Sequence, residues 1–185
     1  MQIEVTSLSG VLIVRPRIFH DDRGFFLESW NQKEFDQTVG REIRFVQDNH
    51  SRSKRGVLRG LHYQVAPTAQ AKLVTVMSGK IFDVAVDLRP GSPTLGQWIG
   101  EELWGDQCCS LWIPEGFAHG FLVLSETAAV LYKTTDFYSP KHERCIRWND
   151  VSLGIRWPLG GVSPTVSAKD NSGLPFVQVV SGCEL

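Results

Sequence analysis

Short apolar runs separated by turn-forming residues recur along the sequence at intervals of roughly 8–12 residues. The clearest run covers residues 81–88, which alternate strictly between two faces. One face carries Phe82, Val84, Val86 and Leu88, and the other carries Asp83, Ala85 and Asp87. This period of two is typical of β-strands. Roughly nine or ten such runs predict an all-β sandwich or barrel, for which a jelly roll fits best.

One segment has the pattern of a short helix instead. Asn31 is a favoured N-cap residue, and Glu34 stands three positions later, as in a capping box. Gly40 is a typical residue to end a helix. The sequence therefore predicts a helix over residues 32–39, one of a few short helices at the periphery of the sheets.

Composition limits the classes of protein to consider. The chain has 185 residues, enough for one domain spanning residues 1–185. The net charge is −1 and the sequence has no block of like charge, so we expect no nucleic-acid partner, although a local cluster can still bind a small anion. The N-terminus lacks a signal-peptide pattern, and no apolar run has membrane-spanning length. We expect a cytoplasmic protein whose cysteines are reduced, since no CxxC pair occurs among Cys108, Cys109, Cys145 and Cys183.

Two polar residues interrupt an apolar segment at residues 56–64. Burying the side chain of Arg59 or His62 without a hydrogen-bonding partner would cost on the order of several kcal/mol. They are either a satisfied core pair or functional groups. They have opposite parity on a regular strand, so both can face one cavity only if a bulge or turn intervenes near Gly60.

Other polar side chains fall on shared strand faces. Gln47 and Asn49 share one face of an extended segment, after which residues 51–55 have the composition of a basic loop. Residues 129–138 are predicted to form a strand that places Tyr132 and Tyr138 on the same face, which contacts solvent. A turn over residues 114–121 is predicted to deliver His119 to the start of the next strand.

These histidines raise the question of a metal. Metal-binding cupins, which are jelly rolls, use a His-x-His pair, a carboxylate and a later histidine. Here the position two residues after His62 is Gln64, and no glutamate stands in the next few residues, where Lys72 appears instead. His119 remains as the later histidine. An ammonium group repels a cation. The sequence predicts no metal site.

Eight segments together resemble the dTDP-4-dehydrorhamnose 3,5-epimerases, cupin-fold enzymes of dTDP-L-rhamnose synthesis. In order, they are DDRGFFLE (21–28), FVQDNHS (45–51), GVLRGLHYQ (56–64), KLV (72–74), FDVAVDLRPGSPT (82–94), WIPEGFAHGF (112–121), YKTTDFYSPKHE (132–143) and SAKD (167–170). The tail at residues 171–185 matches nothing in this pattern and is assigned no function.

The resemblance implies epimerisation of dTDP-4-dehydro-6-deoxy-D-glucose at C3 and C5. Both carbons lie next to the C4 ketone, so the reaction needs a base, an oxyanion stabiliser and an acid on the opposite ring face. The implied occupants are His62 as the base with Asp170 as its partner, Lys72 at the oxyanion and Tyr132 as the acid. Neither a nicotinamide nor a metal is required.

The resemblance also assigns binding residues. Arg23, Arg59 and Lys169 are implied partners of the diphosphate, with His119 as a further donor near the sugar or phosphate. Gln47, Asn49 and Glu28 are implied contacts of thymine and the sugars. Tyr138 suits stacking on thymine, and Glu143 completes the nucleotide end. The family implies a homodimer in which the nucleotide site borrows residues from the partner subunit.

Several alternatives stay open at this stage. Asp170 is either the partner of His62 or only part of a solvated turn. Asp83 and Asp87 are either site residues or structural residues that pair with nearby basic groups or hold turns. A single-position epimerase or keto-isomerase on a related nucleotide sugar needs the same residues. A non-catalytic sugar-nucleotide binding cupin would not need a proton-transfer set, and a metal-dependent dioxygenase is disfavoured by Gln64 and Lys72.

Overall fold

In a computed structural model of the protein, residues 1–181 are described. Within this range the chain forms thirteen strands: β1 Gln2–Val5, β2 Leu12–Arg15, β3 Ile18–Asp21, β4 Gly24–Leu27, β5 Gln47–Lys54, β6 Leu58–Gln64, β7 Lys72–Ser78, β8 Lys80–Asp87, β9 Trp98–Trp104, β10 Ser110–Ile113, β11 Phe117–Val123, β12 Thr127–Thr134 and β13 Glu143–Cys145. The helices are α1 Gln32–Val39, α2 Ala168–Asn171, α3 Phe176–Ser181 and one 3₁₀ turn, Gly105–Gln107. None of the helices in this range has the length and apolarity needed to cross a membrane.

The strands form two large antiparallel sheets and a separate hairpin. The order is β1-β2-β10-β7-β12-β5 in the six-stranded sheet and β13-β6-β11-β8-β9 in the five-stranded sheet, while β3 pairs only with β4. Most neighbours are distant in sequence, as expected when a chain crosses repeatedly between two sheets. The predicted all-β, cupin-like jelly roll with a few short peripheral helices is confirmed.

The hydrophobic core lies on both faces of the five-stranded sheet. Ile81 and Ala85 of β8 pack between the two sheets, while Val84 and Val86 pack on the outer face under the C-terminal segment. The predicted alternation of β8 is therefore confirmed, and both of its faces are buried. Its acidic residues consequently point inward, toward the space between the sheets.

Helix α1 has the predicted bounds because its two ends are determined locally. The Asn31 side chain accepts a hydrogen bond from the backbone N–H of Glu34 at 3.1 Å. Gly40 ends the helix with a φ of 77°, a conformation that other residues adopt at a cost. The Glu34 carboxylate pairs with the amino group of Met1. Phe35 anchors the helix in a small core cluster.

Three predicted boundaries are wrong. Residues 51–55 do not form a loop, because β5 continues to Lys54 and pairs with β12 along its whole length. The segment 114–121 is not only a turn, since β11 begins at Phe117 and places His119 within the strand. In both cases ladder hydrogen bonds with neighbouring strands outweigh local composition. Strand β12 ends at Thr134, so Tyr138 lies in the following loop.

The described cysteines agree with the expected reduced state. Cys108, Cys109 and Cys145 are free thiols. Cys183, for which the same state was predicted, lies outside the described residues.

The end of β8 is held by a fully buried carboxylate, Asp87. Its oxygens accept hydrogen bonds from the backbone and guanidinium of Arg89, and from the hydroxyls of Ser92 and Thr94 at 2.7 and 2.6 Å. Burial raises the pKa of Asp87, but these hydrogen bonds outweigh burial and leave the pKa well below its ordinary value. Asp87 thus ties the following loop to the sheet and has a structural role.

We expect Asp87→Asn to lower the free energy of unfolding at neutral pH by about 3 kcal/mol, because it removes the charge of a fully buried carboxylate whose hydrogen bonds are charge-assisted. The depressed pKa gives its full stabilisation of the folded state above the unfolded pKa of about 4, and this stabilisation is lost progressively as the pH falls from there toward the folded-state pKa. As pH falls below that value the wild-type advantage shrinks, so the two proteins should converge. Urea unfolding at pH 7 and at acidic pH measures this, with the exposed Glu126→Gln as control. Equal unfolding free energies at pH 7 would contradict the assignment.

Candidate active site

A bulge in β6 brings two polar side chains to one cavity. His62 pairs with His119 of β11, but Arg59 pairs with Phe121, so β6 has one residue more than its partner between these pairs. Gly60 lies in this bulge with a φ of 126°, and a Cβ there would lie 2.5 Å from the Cα of Gly120. Only glycine fits such a close approach. The predicted irregularity near Gly60 is confirmed.

The resulting cavity has a volume of about 390 Å³ and opens to solvent. It is lined by side chains from strands of both sheets and from the C-terminal segment, namely Asn49, Ser51, Arg59, His62, Lys72, His119, Phe121, Tyr132, Tyr138, Glu143, Ser167, Lys169 and Asp170. An adjoining cavity of about 90 Å³ shares several of these residues and adds Gln47, Tyr63, Gln64 and Gln70. All four predicted catalytic residues therefore lie together.

His62 and Asp170 form a hydrogen-bonded pair. The His62 Nε2 atom lies 2.5 Å from an Asp170 oxygen, although 108 residues separate them in sequence. Burial raises the pKa of Asp170, but hydrogen bonds from His62 and Ser167 outweigh burial and leave the pKa below its ordinary value. A carboxylate only accepts, so Nε2 carries the proton and Nδ1 is left with a lone pair that can take one. Only 4% of Asp170 is exposed, so the alternative of a solvated turn is wrong.

Helix α2 positions Asp170. Ser167 caps this helix by accepting a hydrogen bond from the Asp170 backbone N–H at 3.1 Å, and its hydroxyl donates to the other carboxylate oxygen at 2.8 Å. Sequence reasoning missed Ser167. The signal was present, because serine three residues before an acidic residue is the capping-box spacing.

Lys72 places a cationic group, and Tyr132 a neutral acidic group, in the same cavity. Lys72 opens β7, and its ammonium donates to the backbone carbonyl of His62 at 3.3 Å. Burial lowers the pKa of Lys72 to about 8. Burial also raises the pKa of Tyr132, so its phenol is protonated at neutral pH. The pair thus offers a cation for a developing oxyanion and an acid for reprotonation.

Tyr138, Glu143 and Lys169 form a network at the cavity mouth. The Tyr138 hydroxyl donates to Glu143 at 2.7 Å, and the Lys169 ammonium donates to the same oxygen. Burial raises the pKa of Glu143, but these two hydrogen bonds leave it below its ordinary value. The Tyr138 residue is 51% exposed, which leaves its ring available for stacking.

Two glutamine amides hold the loop that carries Tyr138. Gln47 donates to Asn49 at 2.8 Å and accepts from the Tyr138 backbone N–H at 2.9 Å. Gln64 is buried; it donates to backbone carbonyls of the two neighbouring loops and accepts from the Ser139 N–H. The Gln47 amide, predicted to contact substrate, is thus engaged within the chain. Gln64, considered earlier only as a missing histidine, is a residue that positions the loop.

His119 and Asp83 form a second, deeper pair. The His119 Nε2 atom lies 2.6 Å from an Asp83 oxygen. Burial lowers the pKa of His119, and Asp83 opposes this only in part. A neutral ring that donates from Nε2 to a carboxylate has only an acceptor left at Nδ1. The structure therefore favours an acceptor, in contrast with the donor role predicted for His119. Arg59 is oriented by the Ser53 hydroxyl, 3.1 Å from its Nε atom.

Two predicted binding residues lie away from the cavity of their own chain. Arg23 is in the turn between β3 and β4, where its exposed guanidinium pairs with Asp21 at 2.5 Å. Glu28 follows β4 and accepts a hydrogen bond from Asn31. Neither residue lines either part of the cavity.

Within residues 1–181, one group of three side chains has the spacing of potential metal ligands. The ligand atoms of His62, Cys145 and Asp170 lie within 4.8 Å of one another. Two of these residues already bond to each other, and burial raises the pKa of the Cys145 thiol to about 12. Metal ligation would require the thiolate. The absence of a metal cofactor stays a prediction, to be tested by metal analysis of the purified protein.

Proton transfer on a bound small molecule is the chemistry for which this cavity is equipped, which makes the protein a jelly-roll isomerase. The model of the dTDP-4-dehydrorhamnose 3,5-epimerase family matches residues 5–178. The chain belongs to this family.

Individual relatives agree. The chain is 59% identical to the dTDP-4-dehydrorhamnose 3,5-epimerase of Pseudomonas aeruginosa over 92% of its length and 93% of the relative. It is similar to the structure of a Legionella pneumophila dTDP-6-deoxy-D-glucose-3,5-epimerase in complex with dTDP-4-keto-L-rhamnose, with a TM-score of 0.93, 48% identity and coverage of 98% and 95% of the two chains. It is also similar to a 3'-monoepimerase from Streptomyces bikiniensis in complex with dTDP-quinovose, with a TM-score of 0.91, 31% identity and coverage of 97% and 90%.

Proposed function

We propose that the protein converts dTDP-4-dehydro-6-deoxy-D-glucose to dTDP-4-dehydro-L-rhamnose by epimerisation at C3 and C5. The observation that carries this proposal is one cavity holding the His62–Asp170 pair, the Lys72 ammonium and the Tyr132 phenol, in a chain of this family. A binding module needs no such set of proton-transfer groups, which argues against the non-catalytic alternative.

Each of these groups has one step in the reaction. His62 removes the proton next to the C4 ketone, and Asp170 stabilises the imidazolium that results. Lys72 stabilises the negative charge that develops on the C4 oxygen, because a cation in a buried site acts strongly on developing charge. Tyr132 delivers a proton to the opposite ring face, and the configuration inverts. The same set acts at both carbons, since both are adjacent to the same ketone.

The remaining cavity residues bind the nucleotide. Arg59 and Lys169 neutralise the diphosphate, for which a guanidinium offers paired donors. Tyr138 stacks on thymine, and Glu143 accepts hydrogen bonds at this end of the site. Asn49 contacts the sugar, and His119 accepts from a sugar hydroxyl.

Proton NMR of the substrate in deuterated water tests this function. Loss of signal at both C3 and C5, with an L-configured product trapped by a reductase, is the expected result. Exchange at one carbon alone would favour the second candidate, a single-position epimerase. The single-position epimerase is kept as the second candidate because the chain is also similar to a 3'-monoepimerase from Streptomyces bikiniensis. No exchange together with tight dTDP binding would leave a binding module.

A homodimer completes the proposed site. The β3–β4 hairpin carries Phe25 and Phe26, which are 61% and 71% exposed, beside an apolar groove of about 260 Å³. Such exposed apolar surface is typical of a protein interface. The same hairpin and the residues after it carry Arg23 and Glu28. A second copy packed here would supply these two residues to its neighbour's cavity.

Mixing two inactive variants tests this exchange. Arg23→Ala and His62→Ala should each have low activity alone, yet regain activity when refolded together. A mixed dimer then contains one site with both residues intact. With random pairing we expect about one quarter of wild-type activity, since half of the dimers are mixed and have one working site. If the mixture had no more activity than the two variants measured separately, Arg23 would act in the site of its own chain or outside any site.

The proposed cellular setting is the cytoplasm, where the product would supply L-rhamnose for cell-surface polysaccharide. The free thiols of the described cysteines support a reducing compartment. Fractionation of cells that express the protein tests this location.

A further inference from the structure

A thiol that the reaction does not use lies beside the His62–Asp170 pair. Cys145 of β13 stands directly opposite His62 of β6 in the sheet. The adjacent residues, Leu61 and Ile146, exchange both of their backbone hydrogen bonds. His62 and Cys145 are therefore a non-hydrogen-bonded pair, the kind in which facing side chains come closest. The Cys145 thiol and the His62 ring consequently lie side by side on one face of the sheet.

Three different metal-ligating atoms meet at this point. The Cys145 sulfur, a ring nitrogen of His62 and a carboxylate oxygen of Asp170 all lie within 4.8 Å of one another. Ligand atoms around a tetrahedral zinc ion are about 3.5 Å apart, as follows from bond lengths of about 2.0–2.3 Å. The His62 Nε2 atom and the Asp170 oxygen are now 2.5 Å apart and would separate by about 1 Å. Small side-chain rotations therefore bring the three atoms around one ion.

The surroundings of these atoms suit a bound metal ion. The other oxygen of Asp170 accepts a hydrogen bond from the Ser167 hydroxyl at 2.8 Å. Carboxylates that bind metals are usually held by such a hydrogen bond. His62 and Asp170 both line the cavity that opens to solvent, which gives a hydrated ion a path to the site.

Three cationic side chains line the same cavity and oppose a second cation. Lys169 is paired with Glu143, but Arg59 and Lys72 have no carboxylate in an ion pair among residues 1–181. A zinc ion that displaces the thiol proton raises the charge of the three ligands by only one unit, from minus one to zero. A magnesium ion that leaves the thiol protonated raises it by two units. Repulsion by the cavity cations therefore favours a metal that binds thiolate.

We propose that His62, Cys145 and Asp170 form an inhibitory site for Zn²⁺, in which the metal takes the Nε2 position of the base and stops proton transfer. The inhibition rests on the proposed function, whereas the metal site itself goes beyond it. Thiolate and imidazole are ligands that zinc prefers, while magnesium and calcium prefer oxygen. The prediction of no metal cofactor is unaffected, because zinc here stops the reaction.

Zinc binding redistributes two protons. The ion forms bonds to the Cys145 sulfur, the His62 Nε2 atom and an Asp170 oxygen, with water in the fourth position. The thiol proton goes to solvent, and the imidazole proton moves from Nε2 to Nδ1 by way of water. Nδ1 then has no lone pair to accept the substrate proton. Because burial keeps the Cys145 thiol protonated in the metal-free protein by raising its pKa, the zinc ion itself must displace that proton.

Titration of epimerase activity with zinc chloride tests the inhibition. Wild-type turnover should fall as zinc is added and should return with EDTA, while magnesium chloride should have no effect. The dissociation constant for dTDP should stay within about threefold, because the nucleotide contacts are not zinc ligands. Cys145→Ser should keep its turnover without zinc and should need at least about tenfold more zinc for half-inhibition. Even residues that only support metal ligands change metal affinity by about 10–100-fold.

Cys108→Ser is the matched control for the loss of a thiol. Cys108 is also a half-buried free cysteine, but it lines neither part of the cavity. This variant should be inhibited at the same zinc concentration as the wild type. Cys145→Ala is a second variant and must lose zinc sensitivity as Cys145→Ser does. Equal inhibition of wild type and a folded Cys145 variant would overturn the proposal, and so would activation by zinc.

Cobalt binding separates the metal site from the proposed function. Co²⁺ bound to a thiolate gives a charge-transfer absorption in the near ultraviolet, and this measurement needs no substrate. The band should appear in the wild type and in Cys108→Ser and be absent from Cys145→Ser. Its absence from the wild type would overturn the site even if the enzyme is an epimerase. The expected bands in a protein that exchanges no substrate proton would support the site while the proposed function fails.

Discussion

His62→Ala is expected to abolish solvent exchange at both C3 and C5 of the substrate. The alanine variant has no group to remove the proton, and the Asp170 carboxylate lies behind the missing ring. General-base catalysis is typically worth about 10²–10⁴ in rate, so we expect a loss of kcat toward the upper end of that range. The measurement is NMR exchange in deuterated water together with product formation. Both signals should fall together, because one base serves both carbons.

Nucleotide binding should survive this substitution. The diphosphate and thymine contacts are assigned to Arg59, Lys169 and Tyr138, which do not bond to His62. The dissociation constant for dTDP should stay within about threefold of wild type, a change below 1 kcal/mol. His50→Ala is the matched control, since His50 is exposed on β5 and does not line the cavity. Near-normal turnover by His62→Ala would show that the base has been assigned to the wrong residue.

Tyr132→Phe is expected to separate proton loss from inversion. The phenylalanine ring fills the same space, but it lacks the phenolic proton that burial keeps in place on Tyr132. His62 can still remove the substrate proton, so deuterium should enter the substrate with retained configuration. Formation of the inverted product should fall by about 10²–10⁴, the usual worth of a general acid. NMR of the recovered substrate and of the product measures both quantities in one sample.

Tyr138→Phe is the matched control for this second prediction. It removes a hydroxyl that bonds to Glu143 but keeps the ring for stacking. It should change KM more than kcat and should not alter the ratio of exchange to inversion. If Tyr132→Phe instead lowered exchange and inversion by the same factor, Tyr132 would act in binding or in proton removal.

Local features could be predicted from sequence because each depends on a few adjacent residues. The bounds of α1 follow from Asn31 and Gly40, which satisfy the helix ends without any distant partner. The two faces of β8 follow from the period of two. The bulge in β6 follows from the opposite parity of Arg59 and His62. The single domain over residues 1–185 and the absence of a nucleic-acid partner stay predictions.

Errors arose where a distant strand decided the outcome. Local composition indicates a loop at residues 51–55, yet β12 provides a full ladder of hydrogen bonds to that edge. Tyr138 fits the period of a strand that in fact ends at Thr134, because its antiparallel neighbours β5 and β7 begin opposite Thr134, at Gln47 and Lys72. Strand propensity is a weak preference that pairing overrides.

The sequence by itself determined the class of fold, the family and the types of residue available for acid–base chemistry, since alternation, turns and motifs are encoded in adjacent positions. Only the tertiary structure decided which groups meet: Asp170 behind His62, Asp83 beneath His119, and Arg23 away from its own cavity. The physical reason is that the register between strands places His119 against Asp83, while the packing of α2 against β6 brings Asp170 to His62 across 108 residues of sequence. Spacing along the chain carries no record of that register.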